Sequence, residues 1–542
     1  MRQSFFGLNI AVSGLYTAQK NLNTVSHNIS NASTTGYSRQ QNIQSASKPI
    51  NTFDGTGMIG TGSEVTGVKR IRDTYLDFKY WSENIANGEW SKKAELLSEM
   101  ETTFNEPSNS GFTKIMDSFY SSLQELSKDP SSPAVRALVR ENGVTLANYF
   151  NTLATRFERL QEDINDQVRV TVEKINSLGD QIAKLNKQIY AFELTGQAAN
   201  DLRDARTVLV DELSKLININ ASEVKYGKLP NGEDDIHFVI TIGGNNLVDH
   251  YSSRKLVLDQ RDIRLNSEDI PNLYNVRWDN GNELILTGGE LKGLIDVRDG
   301  KDGIKGMDGT TATPSYKGVP YYQSMLNEFV RTFAMAFNEG YRTENGVLID
   351  GVGHVDGFGV DTDGPGPATA TSGLRFFTMF GEGNIPISSD VFIDGAVGMN
   401  AIKAQYQNIT AKNFTVGLDV MSNPNAIAAT NVPGENGNID VLNELLKLRS
   451  NANLFTEGAP EDFMKSLVAT LGIDSQQAKT FSSSQITIVK QIDNRRMSVS
   501  GVQLNEELAD MVRFQQSYKA SAKMINTMNE VYDTLINRLG VG

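Results

Sequence analysis

The sequence predicts an α+β multidomain protein. Paired coiled-coil-like helices from the two ends carry an elongated α-helical bundle and an inserted β-rich outer part. Three observations predict this. From Leu504, alternate steps of four and three residues reach Leu508, Met511, Gln515, Tyr518, Ala522, Ile525, Asn529, Tyr532, Ile536 and Leu539, with no Gly or Pro inside the run, which is the 3.5-residue period of a coiled coil. Leu8, Ala11, Leu15, Ala18, Leu22, Val25, Ile29 and Ala32 repeat it at the other end. In the middle, apolar residues from Leu153 to Phe192 keep three-or-four spacing, and a helix of about forty residues at ~1.5 Å each makes a rod of about 60 Å. From Asn218 the texture turns to short alternating runs divided by Asn, Gly and Asp, as in antiparallel strands and hairpins.

A single amphipathic helix ordinarily packs on the nearest core. Matching seams at both termini predict instead that the ends meet, becoming fixed only on assembly, and Gly7 and Gly14 leave room for a second backbone. The mildly apolar Phe5–Ala18 stretch is interrupted by Asn9 and Ser13 and preceded by one arginine, so a cleaved signal peptide is not expected. No run of about 18 apolar residues predicts a membrane span. After the first helix, Asn28–Arg39 is rich in hydroxyl and amide side chains, and Gly36 can take a positive φ, so the helix should stop in a turn. Gly55-Thr56-Gly57-Met58-Ile59-Gly60 has the spacing of a dinucleotide loop, but no apolar strand precedes it and strand-like Val65–Ile71 follows, so nucleotide binding is not expected.

Helical spacing returns over Asp73–Asn105 and Phe112–Leu126, and Pro130–Pro133 marks a stop and restart. Asn200–Leu216 should run back along the long rod, with Leu202, Leu209, Leu213 and Leu216 inward. Strands are predicted at His237–Ile242, Lys255–Leu258, Asn275–Trp278 and Glu283–Thr287, and again between Val391 and Val420, with Asp350–Gly373 a loop. Helices are predicted at Tyr321–Glu339, Asp440–Arg449, Glu461–Leu471 and Ser475–Val499. The expected division is a terminal assembly layer (1–65 and 500–542), a helical bundle (66–218 and 435–499) and a β-rich variable part (219–434) whose helix 321–339 packs on the bundle. A bundle should then survive excision of Lys225–Val432.

The formal net charge of -14 and pI near 5.0 argue against nucleic acid or an acidic membrane as partner. There is no cysteine, which excludes disulfides, thiolate metal sites and thiol catalysis. His27, His237, His250 and His354 stand in no close metal-ligand spacing, and His27 lies off the seam as an interface polar group. Asp296, Asp299, Asp302 and Asp308 resemble a calcium loop, but Arg298 and Lys301 occupy positions that need oxygen ligands, leaving an acidic turn. No nucleophile elbow is present. No catalytic residue, metal site or cofactor is expected.

Asn28-Ile29-Ser30-Asn31 with Thr35-Gly36-Tyr37-Ser38-Arg39-Gln40 resembles the N-terminal signature of bacterial flagellar rod, hook and hook-associated proteins. Glu506-Glu507-Leu508 and Phe514-Gln515-Gln516-Ser517-Tyr518 resemble its C-terminal partner. Pro130–Arg136, Ile182–Asn186, Asn200–Asp204 and Gly288–Leu291 are similar to the hook-associated protein 1 branch. Ser30 stands where alanine is usual and Asn505 where aspartate is common. The resemblance implies a structural adaptor, secreted uncleaved by the flagellar export apparatus to the extracellular flagellum. Its copies would form a ring that meets the hook protein and a second hook-associated junction protein, and an export chaperone would take the C-terminal helix. It further implies that Asn28, Asn31, Gly36, Tyr37, Phe514, Gln515 and Gln516 belong to the family motif, and the terminal seams to self-assembly. The runner-up is the hook protein itself, against which the long central helix speaks. An adhesive role for the insertion, or an enzyme carried on it, are the readings from other classes.

Overall fold

The computed structural model describes residues 6–51, 57–104, 111–228, 232, 234–344, 347–360, 371–534 and 536. Helix α1 (Phe6–Ser30) ends in the predicted turn, where Gly36 has φ 78° and a Cβ would meet the Val208 side chain. Strand β1 (Gln40–Ala46) pairs antiparallel with β4 (Ser63–Arg70), and β2 (Ile50–Asn51) with β3 (Met58–Ile59) prolongs the ribbon. Of the stretch with dinucleotide-loop spacing, Met58–Ile59 is thus strand, while Gly55 and Thr56 lie outside the described residues.

Four helices follow: α2 (Thr74–Phe104), α3 (Phe112–Lys128), α4 (Pro133–Glu193) and α5 (Asn200–Leu216). The predicted rod over Leu153–Phe192 is the second part of α4, which starts already at Pro133 and is 61 residues long, or about 90 Å at ~1.5 Å per residue instead of about 60 Å. The helix runs on through Gly143, where a Cβ would lie 2.7 Å from the Phe376 ring. The missing side chain makes room for a packed neighbour.

Strands β5 (Asn220–Lys228), β6 (Asp234–Ile242), β7 (Asn245–Asp249) and β8 (Ser252–Ser253) form an antiparallel sheet in chain order, followed by the hairpin β9 (Leu256–Gln260) and β10 (Tyr274–Trp278). Glu283–Thr287 is not a strand, making only a bridge between Glu283 and Arg277. Helices α6 (Glu290–Asp299) and α7 (Val319–Glu339) come next, then the hairpin β11 (Arg342–Glu344) and β12 (Val347–Ile349), and strand β13 (Phe377–Met379). Between Val391 and Val420 the strand expectation is largely wrong. Only β14 (Phe414–Val416) forms there, beside α8 (Ser389–Ile393), α9 (Met399–Tyr406) and the start of α10 (Leu418–Ser422). Apolar residues in this stretch, such as Phe392, Tyr406 and Ile409, are buried one at a time from helices and turns, so their spacing carries no strand period.

The chain closes with α11 (Asp440–Lys447), α12 (Pro460–Ser500) and α13 (Leu504–Asp533). The two helices predicted at 461–499 are one. Helix α12 runs antiparallel to α2: Glu101 holds Ser475 and Lys479, Ser91 meets Ser482, and Asp77 meets Arg496.

One hydrophobic cluster runs from Trp81 to Ala478 and contains no described residue of α1 or α13. It takes in α7, whose Phe329 stacks on Phe150 at 5.0 Å and on Phe455 at 5.1 Å. Helix α6 contributes Leu291, Leu294 and Val297. The excision expectation is therefore reversed. Removing Lys225–Val432 takes both helices out of the core, and each lost Phe or Leu is worth roughly 1.5–3 kcal/mol against a total stability of about 5–15 kcal/mol. The shortened chain should show no cooperative unfolding by circular dichroism, and a sharp transition would contradict this.

Candidate assembly surface

Helices α1 and α13 pack antiparallel. Asn28 meets Glu507, Gly14 meets Ser521 and Gly7 meets Met528, so the contacts are two heptads and then one heptad apart on both helices, the spacing of a coiled-coil row. A Cβ on Gly14 would lie 3.1 Å from Ser521 Oγ. The predicted pairing and the role of both glycines are present, but the seam is turned by one residue.

On α1, Ala11, Ala18 and Val25 are buried as the pattern requires. The other row is Gly7, Gly14, Asn21 and Asn28, while Leu8, Leu15, Leu22 and Ile29 lie half-buried on its flank. On α13, Met511, Tyr518, Ile525 and Tyr532 are half-buried, together with Phe514, Ser521 and Met528 and the buried Glu507. Leu504 and Leu508 are exposed, as are Gln515, Gln516 and Asn529. Ala522 is half-buried, Ile536 exposed, and Leu539 lies outside the described residues. The apolar pattern favoured Leu508 over Glu507. The structure buries the acid because polar partners wait for it, which removes the ordinary penalty.

Those partners come from the turn after α1. Asn28 Nδ2 donates to Gln40 O at 2.9 Å and to Glu507 Oε2 at 3.0 Å, and Asn28 Oδ1 accepts from Gln40 N at 2.9 Å and from the Tyr37 hydroxyl at 2.8 Å. All four hydrogen-bonding positions of the amide are used. Arg39 Nε donates to Glu507 Oε1 at 2.6 Å, and its other nitrogens lie 3.4 Å from Glu506 and 3.6 Å from Asp510. Glu507 thus accepts on both oxygens, the arrangement of an ionised carboxylate. Burial first, and then the carboxylates of Asp201, Asp204 and Glu507, push the Tyr37 hydroxyl far above its ordinary range, so it remains a donor. His27 Nδ1 is 2.9 Å from that hydroxyl. Asn31 Nδ2 bonds His27 O at 3.0 Å, closing the last turn of α1.

The same turn ties the terminal layer to the bundle. Ser38 N and Oγ both donate to Asp204 of α5 at 2.8 Å, and Arg70 Nη1 donates to it at 2.9 Å. Arg72 grips Asp77 of α2 through two bonds of 2.8 Å and donates to Ser38 Oγ at 3.0 Å. Arg496 of α12 lies 3.1 Å from Asp77 and 2.9 Å from Asp211, which also accepts from Trp81 Nε1 at 2.6 Å. Burial pushes the Asp211 carboxyl up, and Arg496 pulls it back. Arg39 N donates to Ser500 O at 2.8 Å, just before α13. The joint is polar throughout. It shows that the ends are fixed to each other and to the bundle within one chain. Arg39, Asp204 and Glu507 were not read as site residues. The available signal was Glu507 itself, an acid inside the Glu506-Glu507-Leu508 motif and two heptads from Ser521.

Among the described residues no group of three or more His, Cys, Asp or Glu is arranged to hold a metal. Asp296 pairs with Lys93 and Lys292, and Asp299 with Arg298 and Arg261. Both lie in α6, not in a turn.

The flagellar hook-associated protein 1 of Bacillus subtilis strain 168 is 30% identical to this chain over 556 aligned residues, covering 100% of both. The chain belongs to the flagellar hook-associated protein 1 family. The hook-associated protein 1 of Escherichia coli K12 is 27% identical, covering 98% of this chain and 99% of its own, and that of Salmonella typhimurium LT2 is 26% identical with the same coverage. The helical-domain model of flagellar hook-associated protein FlgK matches residues 97–353, running through the boundary expected at 218/219. The flagella basal body rod protein model matches 8–37, and the C-terminal model of the rod FlgEFG proteins matches 494–539. These two short matches are the halves of the α1–α13 layer and its joint. The flagellar hook junction protein FlgK of Burkholderia pseudomallei shares the fold, with TM-score 0.51 and 15% identity, covering 79% of this chain and 100% of that one. Membership places the chain among the structural hook-associated components of the bacterial flagellum, whose relatives are not known as enzymes. No described helix is long and apolar enough to cross a membrane.

Proposed function

We propose that this hook-associated protein forms a ring of its own copies that joins hook to filament, meeting the hook protein on one side and a second hook-associated junction protein on the other. One observation carries the reading. With α13 paired to α1, apolar side chains on its two flanks stay exposed by 45–53%: Leu504, Leu508 and Val512 on one, Met524 and Val531 on the other. Four-residue steps link the first three, and seven the last two, so they form stripes along one helix. Neighbouring copies cover these flanks in the ring. Before export a cytoplasmic chaperone shields the C-terminal helix, and the chain leaves the cell uncleaved through the flagellar export apparatus.

Labelled protein imaged on isolated flagella tests the role. The expected image is a single band at the hook–filament boundary. A label coating the hook would assign the chain to the hook instead, and a label along the filament would remove the junction role.

A further inference from the structure

The four-stranded sheet meets α4 through an unusual pair of rings. His250, just after β7, has φ 50°, a left-handed conformation that turns its ring over the sheet. There it lies parallel to the His237 ring of β6, with centroids 3.8 Å apart and planes within 4°. Tyr226 of β5 stacks on His237 at 4.3 Å. Tyr190 of α4 meets His250 edge-on at 5.3 Å, and Asn186 Nδ2, also from α4, donates to His250 O at 2.6 Å. The stack therefore fastens three strands to the long helix.

His250 is buried, and neither ring nitrogen has a hydrogen-bond partner among the described residues. A neutral imidazole tolerates this site. An imidazolium would be a desolvated cation without an acceptor, stacked on a second titratable ring, which is costly. The surrounding charges do not rescue it. Arg206 of α5 faces the pair and is held by Glu223 of β5 at 3.0 Å, and Glu193 at the end of α4 is taken up by Arg203 at 2.8 Å. Asp235, 3.3 Å from His237 Nε2, and Asp249 are the carboxylates that would favour the charged form.

We propose that the His237–His250 stack is an acid-released latch, holding the β6–β7 end of the sheet on α4 while His250 is neutral and letting go when it takes up a proton. Burial first, and then His237, lower the His250 pKa below the ordinary histidine value; Asp235 and Asp249 act the other way, and Arg206 adds to the lowering. The docked state therefore binds fewer protons than the released state. Its stability is fully present above about pH 6.5 and declines as pH falls below that value.

Hydrogen exchange of the whole chain between about pH 7.5 and about pH 5.5, spanning histidine's ordinary value and corrected for the intrinsic rate, tests the latch. Protection of residues 234–253 should fall several-fold at the lower pH while α2 and α12 keep theirs, and His250→Phe should flatten the response. Should His250→Phe fail to fold, ring titration of wild-type His250 by NMR decides instead. Its midpoint should lie below that ordinary value, with loss of protection in step. Unchanged wild-type protection, an equal fall in His250→Phe, or a ring that titrates with no loss of protection would overturn the proposal.

Discussion

Asp204→Ala should detach the terminal layer while leaving the bundle folded. The carboxylate accepts from Ser38 twice and from Arg70, and Arg72 Nη1 lies 3.7 Å away. Its removal leaves two largely buried guanidinium groups short of a partner. Breaking one side of such a buried pair costs about 3–5 kcal/mol. Amide protection across α1 should fall by roughly two orders of magnitude or more, since each ~1.4 kcal/mol is tenfold. The melting transition of the bundle should move far less, because the hydrophobic cluster has no described residue from α1 or α13. Asp204→Asn, which keeps one acceptor oxygen, should recover part of the protection. If α1 stays protected in Asp204→Ala, something other than the polar joint holds the layer.

Ile525→Asp and Leu508→Asp should both abolish incorporation into the flagellum, for different reasons. Ile525 is half-buried on the α13 row that faces α1, so a carboxylate there opens the helix pair and speeds exchange at both termini. Leu508 is 45% exposed, so its substitution leaves the pair and the monomer's melting temperature unchanged. Loss of its apolar contacts, up to roughly 1.5–3 kcal/mol for full burial, then recurs in every subunit of the ring. Lys519→Ala, at an exposed position, is the control and should incorporate normally. Counting labelled subunits on isolated flagella separates the cases. Normal incorporation of Leu508→Asp would show that the exposed stripe is not a subunit contact.

Much of the helical framework was legible because Pro and Gly punctuate it. The turn at Gly36, the restart at Pro133 and the return helix Asn200–Leu216 all stand where the sequence predicts them. The meeting of the ends was legible too, since small residues at Gly7 and Gly14 have a purpose only against a second helix. The rotation of the seam was not. A period built on apolar residues cannot select Glu507 over Leu508, because what makes Glu507 tolerable is Asn28 and Arg39, 479 and 468 positions away in the chain. Asp204 and Ser38 are separated by 166 positions, and polar pairing over such distances leaves no local period. Strands were overread between Val391 and Val420 for a related reason. Isolated apolar anchors such as Phe392 and Tyr406 pack singly from helices, so apolar residues there meant burial and, outside β14, no sheet.

The absence of native cysteine allows the central claim to be measured with single labels. Leu508→Cys and Ser521→Cys would each be exposed to a thiol reagent in the monomer and in isolated flagella. The expected result is fast reaction at position 508 in the monomer and protection there in flagella, with position 521 reacting slowly in both because it faces Gly14. A residue 508 label that reacts equally fast in flagella, or a residue 521 label that reacts as fast as 508 in the monomer, would contradict the paired helices and the free stripe on which the account rests.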